Sequence, residues 1–202
     1  MHSLSRLPAF AASPDLRLLF WGTFGAWAAM ELSLWFRDRR AVAGVREDQG
    51  SASAISLTIT AAMFVAFSAP PSLPQLRIAA APQLLVGLGL ALAWAGMAFR
   101  LWAVRTLGRF FRVTVTTQDD HRLIDTGPYR RLANPSYTGA MVTLAGLGLA
   151  IGNWLSFAAL LLLPIVGFAV RIRVEEASLA RRFGDAFAAY RRRRWALIPF
   201  LW

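Results

Sequence analysis

Apolar residues run in long blocks along this chain, and the charged residues gather between the blocks. A helix needs about 20 mostly apolar residues to cross a bilayer. The first such block, Leu16 to Phe36, holds a single charge, Glu31, among Trp21, Trp27 and Trp35. The second runs from Ala54 to Ala69 and is expected to stop at Pro70-Pro71, because proline removes a helical N–H. The third, Pro82 to Val104, ends near Arg100, Trp102 and Arg105. The last stretch, Tyr137 to Val170, is too long for one ordinary span and carries Gly152-Asn153-Trp154 in its middle. A tight turn there predicts two antiparallel helices, Tyr137 to Ile151 and Leu155 to Val170. The pattern therefore predicts an all-α, polytopic integral membrane protein in one domain, 1–202. Its five transmembrane helices lie at about 16–36, 54–69, 82–104, 137–151 and 155–170, and the last two form a C-terminal helical hairpin. Beyond them, Leu179, Phe183, Phe187 and Tyr190 recur at helical spacing. That stripe predicts a cytoplasmic amphipathic helix lying on the inner leaflet. Arg191 to Arg194 then meets lipid phosphate, and Trp195, Phe200 and Trp202 anchor the end.

Composition agrees with this picture. Of 202 residues 56% are apolar and 16% charged, too few charges to cover a soluble surface. There is no cysteine, which excludes a disulfide framework, a thiolate zinc site and a cysteine nucleophile. The net charge of +11 fits either phosphate neutralisation on nucleic acid or the positive-inside bias of membrane proteins. The apolar runs between basic clusters select the second, so membrane lipids rather than nucleic acid are the expected partners. With the N-terminus outside, segments 37–53, 105–135 and 171–202 are inner and hold 18 arginines, against 3 in the outer segments. That asymmetry predicts a protein of the cytoplasmic membrane with its C-terminus inside. The N-terminal stretch lacks a small-residue cleavage pattern, so no removable signal peptide is expected. Gly89, Ala93 and Gly96 in the third span, and Gly139, Gly146 and Gly148 in the fourth, stand at helix-contact spacing. Glu31 has two readings: a functional intramembrane carboxylate, or a side chain reaching towards the inner interface.

Polar chemistry collects in two inner clusters. The first carries Asp119, Asp120 and His121, then Asp125-Thr126-Gly127-Pro128-Tyr129 and Asn134-Pro135-Ser136-Tyr137. Asn134-Pro135 predicts a cap and first residue for the fourth helix. Such a helix start, rich in free amides, also suits an anionic ligand group. The second cluster is Arg171, Arg173, Glu175 and Glu176. The spacing allows ordinary ion pairs, Arg171 with Glu175 and Arg173 with Glu176. It equally allows two adjacent carboxylates to take a cationic or hydroxyl-rich ligand while an arginine fixes an anionic one.

The run His121 to Tyr129, then Asn134-Pro135-Ser136-Tyr137-Thr138-Gly139, then Arg171 to Glu176 with Leu179, Phe183-Gly184, Tyr190 and Pro199-Phe200, resembles the isoprenylcysteine carboxyl methyltransferase family. The likeness in spacing covers about 121–200, and Arg46 to Ser51 is similar to bacterial members. Eukaryotic members carry Arg-His-Pro where this chain has Ala133-Asn134-Pro135. The resemblance implies an S-adenosylmethionine-dependent integral membrane methyltransferase with a cytoplasmic cofactor site. A lipophilic acceptor, an isoprenoid-like molecule or other small lipid, would enter from the bilayer. It implies that His121, Gly127, Tyr129, Asn134, Pro135, Tyr137, Glu175 and Glu176 bind the cofactor. It places Arg171 and Glu176 at the reacting centre, with no metal. A carboxylate acceptor is already ionised and needs only orientation by Arg171; a hydroxyl or amine needs a base, for which Glu176 and His121 are the candidates. The competing readings are a phospholipid N-methyltransferase, an NADPH-dependent sterol-type reductase, which has a similar Asn-Pro-x-Tyr turn, and a non-enzymatic membrane scaffold.

Overall fold

Among the described residues five long helices carry the apolar blocks, and a short sixth follows. The computed structural model describes residues 7–40, 45–46, 48–111, 116–117 and 123–198. In chain order the helices are α1 (Pro14–Arg40), α2 (Ser51–Ser72), α3 (Pro82–Leu107), α4 (Pro135–Ile151), α5 (Trp154–Phe183) and α6 (Asp185–Arg192). A two-residue antiparallel ribbon, β1 (Val45–Arg46) with β2 (Thr116–Thr117), interrupts the helices, beside isolated bridges between Arg77 and Asn153 and between Leu132 and Trp195. It joins the α1–α2 linker to the polar segment after α3.

α3 packs along α4, α2 packs along α5, and the two pairs meet where α4 lies against α5. The glycines explain how closely the first pair approaches. A Cβ at Gly89 would stand 2.6 Å from the backbone of Ala150 and Gly146, and one at Gly139 would meet Arg100 and Gly96. Only a residue without Cβ lets two backbones come this near. Gly148 does a different job from the other two glycines of α4. It faces α5, where a Cβ would lie 2.9 Å from Phe157.

The end of the molecule opposite the polar clusters is closed by the α4–α5 turn. Gly152 ends α4 in the left-handed region, φ 79°. Buried Asn153 then caps α5. Its Oδ1 accepts from the N–H groups of Leu155 and Ser156, and its Nδ2 donates to the Leu73 carbonyl at 3.1 Å. Two free helix donors and a carbonyl at the end of α2 are satisfied by one side chain.

Three details differ from the sequence pattern. α2 does not stop at Pro70-Pro71 but runs on to Ser72. Pro70 leaves the Ala66 carbonyl without its helical donor, and the Ser156 hydroxyl of α5 supplies one at 2.7 Å. Asn134 stands at the N-cap of α4 without capping it, because its side chain is used elsewhere. The stripe from Leu179 to Tyr190 is not one helix. α5 continues unbroken to Phe183, Gly184 (φ 50°) breaks it, and Phe187 and Tyr190 belong to α6.

The outer faces remain apolar, with Leu18, Leu57, Phe64, Leu88, Trp94 and Val166 exposed. α2, α3 and α5 are each long and apolar enough to cross a membrane, while α4, equally apolar, has 17 residues and is mostly buried. Apolar surface on this scale, around helices of this length, makes the chain an integral membrane protein.

Candidate functional site

Arg171 is the largest fully buried side chain among the described residues, 1% exposed, near the polar end of the bundle. An arginine charge taken out of water requires counterions and hydrogen-bond acceptors on its own scale. It has them. Nε donates to Glu175 Oε1 at 2.8 Å, one helical turn along α5, and to the Tyr137 hydroxyl at 3.2 Å. Tyr137, in the first turn of α4, donates its own O–H to the same Glu175 oxygen at 2.8 Å. Its ring stacks on Phe168 of α5, which fixes the hydroxyl against the guanidinium. Nη1 donates to Ser51 Oγ at 3.1 Å and to Asp48 Oδ1.

Asp48 comes from the α1–α2 linker and Ser51 opens α2, both more than a hundred residues before Arg171 in the chain. Asp48 also receives the Ser51 hydroxyl at 3.0 Å and the Ala52 N–H at 3.2 Å. One carboxylate thus steadies the start of α2 and balances a charge on α5.

Glu176, the next residue on α5, bonds to α6 and not to Arg171. Its Oε1 accepts from Arg191 Nε at 2.6 Å, and Arg191 Nη1 donates to the Arg194 carbonyl. The expected Arg171–Glu175 pair forms, whereas Glu176 is joined to α6 and Arg173 is exposed. Arg194 in turn donates to the carbonyls of Tyr129 and Tyr190, both at 2.6 Å, and lies 3.7 Å over the Tyr190 ring. Burial raises the hydroxyl pKa of Tyr129 well above the ordinary value and pushes that of Tyr190 up to about 12.

The remaining expected residues frame these contacts. Tyr129 is buried in a 3-10 turn, Gly127–Arg130, whose first residue Gly127 is exposed with φ 55°. Asn134 donates through Nδ2 to the Ala196 carbonyl at 3.0 Å. The Asn134 N–H reaches the same oxygen, Ala133 N–H bonds Trp195, and Trp195 N–H bonds Arg131. Segments 131–134 and 195–196 are therefore joined around a parallel bridge between Leu132 and Trp195, and the Thr138 hydroxyl adds a 2.6 Å bond to the Leu197 carbonyl. Pro135 is buried as the first residue of α4. His121 lies outside the described residues.

The structure thus brings Tyr137, Arg171 and Glu175 into one hydrogen-bonded group. Glu176 is beside it, tied to α6, and Tyr129 and Asn134 line the seam where the chain end crosses the turn before α4. Asp48 and Ser51 join the site although no role was assigned to them from sequence, and Arg191 and Arg194, expected to meet lipid phosphate, are instead engaged by Glu176 and by the Tyr129 and Tyr190 carbonyls. The signal for Asp48 was its place in the Arg46–Ser51 segment, since a lone aspartate in a linker has no periodicity to betray it.

Residues 84–186, just over half of the chain, match the model of the family described as phospholipid methyltransferase (PEMT). The chain is 32% identical over 115 residues to a rice protein (Oryza sativa subsp. indica) named "Probable protein-S-isoprenylcysteine O-methyltransferase". That similarity covers 56% of this chain and 60% of the rice protein. It is also 32% identical over 133 residues to the protein-S-isoprenylcysteine O-methyltransferase of Saccharomyces cerevisiae, covering 65% of this chain and 56% of the yeast protein. The chain thus spans less than two thirds of the length of these relatives. Its fold is similar to the structure of the eukaryotic intramembrane Ras methyltransferase ICMT, with a TM-score of 0.69 and 23% identity over 94% of this chain and 69% of that one. The likeness to isoprenylcysteine methyltransferases read from the motifs is borne out, and the chain belongs to the phospholipid methyltransferase family.

Proposed function

We propose that this protein is an S-adenosylmethionine-dependent methyltransferase that methylates a lipophilic acceptor, a carboxylate or hydroxyl of an isoprenoid-like or other small lipid, at the membrane. The observation that carries the reading is the buried Arg171 with Tyr137, Glu175 and Asp48 around it, inside a chain of this family. A fully buried arginine held by residues from three separate helical regions is costly to maintain for packing alone.

The donor set fits the methyl donor. Its amino-acid end carries an ammonium and a carboxylate, and Glu176 with Arg191, each about a third exposed, offers one partner for each. Glu175, Asn134, Pro135, Tyr137, Tyr129 and Gly127 complete the cofactor side, with His121 from the neighbouring segment. When bound, the sulfonium supplies an electrophilic methyl carbon. Arg171 orients the acceptor, and the α4–α5 packing holds Arg171 still. Methyl transfer needs such fixed alignment, with reacting atoms about 3–3.5 Å apart. Glu176, expected at the reacting centre as well as the cofactor, takes the cofactor part here because Arg191 already engages it.

In the membrane, the proposal has five spans, α1 to α5, with α4 and α5 as a hairpin turned at Gly152-Asn153. Glu31 is admitted to α1 because Arg100 neutralises it. The 18-to-3 arginine asymmetry supports an outer N-terminus and a cytoplasmic site in the inner membrane, where the donor is available.

Isothermal titration of the purified protein with S-adenosylmethionine tests this. Saturable binding is expected, lost in Glu176→Ala and kept in Arg173→Ala. Titration without heat in the intact protein, together with an unchanged NADPH thermal shift, would leave the scaffold reading in its place.

A further inference from the structure

Asn134 spends its side chain on Ala196 and leaves the start of α4 uncapped. The first turn of a helix has N–H groups without helical partners and needs support from outside. Tyr137, whose hydroxyl meets Glu175 and Arg171, stands in that turn. On the side of the chain end, the Thr138 hydroxyl holds the turn to Leu197. On the side of the bundle, Arg100 of α3 holds it. Arg100 Nη1 donates to the Ser136 hydroxyl at 2.7 Å and to the Ser136 carbonyl at 3.1 Å. Two bonds to one residue, one to its side chain and one to its backbone, fix both its height along α4 and its rotation. The rest of the guanidinium faces Glu31 of α1, through Nη2 and Nε. Such a two-nitrogen pairing sets the plane of the group as well as its place.

Helix packing alone does not call for this pair. A Cβ at Gly139 would stand 2.7 Å from the Arg100 backbone nitrogen, so α3 and α4 already meet closely at this level. α1 has a separate tie to α3, where Trp94 Nε1 donates to Thr23 Oγ1 at 3.2 Å. An ion pair removed from water gains little over apolar side chains of similar volume. A carboxylate kept within a spanning helix points to function before stability. What the pair adds here is orientation.

Resting on the methyltransferase reading, we propose that Glu31 is a positioning residue for the site: it aims Arg100 at Ser136, and Ser136 sets the neighbouring Tyr137 against Glu175 and Arg171. α1 lies outside the matched family segment, 84–186, and acts on the site through this carboxylate. The ligand that senses it is the methyl donor, since Tyr137 and Glu175 stand on the cofactor side in that reading.

The tyrosines make this measurable. The chain has three, Tyr129, Tyr137 and Tyr190. Protein labelled with 3-fluorotyrosine gives a fluorine resonance for each, assigned through Tyr129→Phe, Tyr137→Phe and Tyr190→Phe. In Glu31→Gln, which keeps the size and removes the charge, the Tyr137 resonance is expected to shift and broaden. That of Tyr190, held under Arg194, is expected to stay. Ser136→Ala leaves the Glu31–Arg100 pair whole and should move the same resonance, which keeps the test open if Glu31→Gln does not fold. Ser156→Ala is the control: it removes the bond to Ala66 between α5 and α2 and touches none of these contacts. It should leave Tyr137 in place. Titration with S-adenosylhomocysteine should show an affinity about tenfold lower in Glu31→Gln, and within about twofold of wild type in Ser156→Ala. A Tyr137 resonance unmoved in a folded variant, or moved as far in Ser156→Ala, overturns the positioning role. A shifted resonance with unchanged affinity overturns it too, because the ligand would then not sense the geometry. Wild-type protein that binds no S-adenosylhomocysteine overturns the methyltransferase reading and this inference with it.

Discussion

Arg100 on α3 meets Glu31 on α1 through two nitrogens. Nη2 donates to Oε2 at 2.7 Å, and Nε lies 2.7 Å from Oε1 without hydrogen-bond alignment. The remaining terminus, Nη1, donates to the hydroxyl of Ser136 at 2.7 Å and to its carbonyl at 3.1 Å. One arginine thus ties α1 and α3 to the first turn of α4. Ser136 immediately precedes Tyr137, which touches Arg171. The carboxylate inside the first apolar block is therefore a paired group that anchors the floor of the site.

Glu31→Ala leaves Arg100 buried with its principal counterion gone. The loss is expected to be about 1–3 kcal/mol, the range for stranding a buried donor. Thermal unfolding in detergent measures it. Glu31→Gln, which keeps one acceptor, should lie between the alanine variant and wild type. Equal melting of all three proteins would show that the pair carries no weight.

The glycine seam between α3 and α4 predicts opposite signs for one chemical change. At Gly89, Gly96 or Gly146 an added methyl meets opposing backbone, which cannot rotate away. Alanine there should cost about 1–3 kcal/mol or more by forcing the helices apart. At Gly22, Gly25 or Gly87 nothing stands within 4 Å, and alanine should gain up to about 1 kcal/mol from helix propensity. Melting temperatures of the six variants decide the matter.

Asn134 joins the turn before α4 to the chain end instead of capping α4, so its loss should loosen the far segment. Asn134→Ala removes the bond to the Ala196 carbonyl and is expected to cost about 1 kcal/mol. The more specific readout is limited trypsin digestion. Cleavage among Arg191 to Arg194 should accelerate in Asn134→Ala and in Thr138→Val, while sites in the α5 segment at Arg181 and Arg182 keep their rate. Uniform acceleration would mean general destabilisation.

What was legible in the sequence follows from range. The blocks that became α1 to α5 are local, since apolarity over some 20 residues decides them. The turn at Gly152-Asn153 was legible for the same reason. Gly152 takes a backbone conformation that side chains disfavour, and Asn153 has the short amide a cap requires. The passage of α2 through Pro70 was not, because the replacement donor is Ser156, on another helix. Glu31 could not be decided while its partner was 69 residues away, although both charges were visible. Arg171 with Glu175 was readable as a one-turn pair, yet Asp48 lies 123 residues off in a linker, and only the folding of α2 onto α5 brings it there. The even stripe from Leu179 to Tyr190 concealed a break at Gly184, since alternation of apolar residues survives a change of helix axis that a positive φ imposes.

The two tyrosines around Arg194 give the protein an alkaline limit. Tyr190 is held neutral by burial, to which Asp125 adds, while Arg194 and Arg191 work in the opposite direction; its pKa rises to about 12. Burial likewise holds Tyr129 well above the ordinary value near 10. The folded state thus disfavours the ionised phenol that the unfolded chain accepts. The stability contributed by the neutral form is fully present below pH 10 and is lost as pH rises from 10 through the folded value near 12. Melting temperature in detergent should therefore hold through pH 9.5 or so and fall steeply above about 10. In Tyr190→Phe the fall should be shallower, because a phenyl ring has no proton to lose. The Arg194 stacking over the ring, 3.7 Å away, survives that change, so stability at neutral pH should alter little. Absorbance at the tyrosinate band gives an independent check. With only three tyrosines in the chain, the native protein should show a late rise near pH 12 that Tyr190→Phe removes. A wild-type titration centred at about 10 with an intact fold would contradict the packing of this side chain under Arg194.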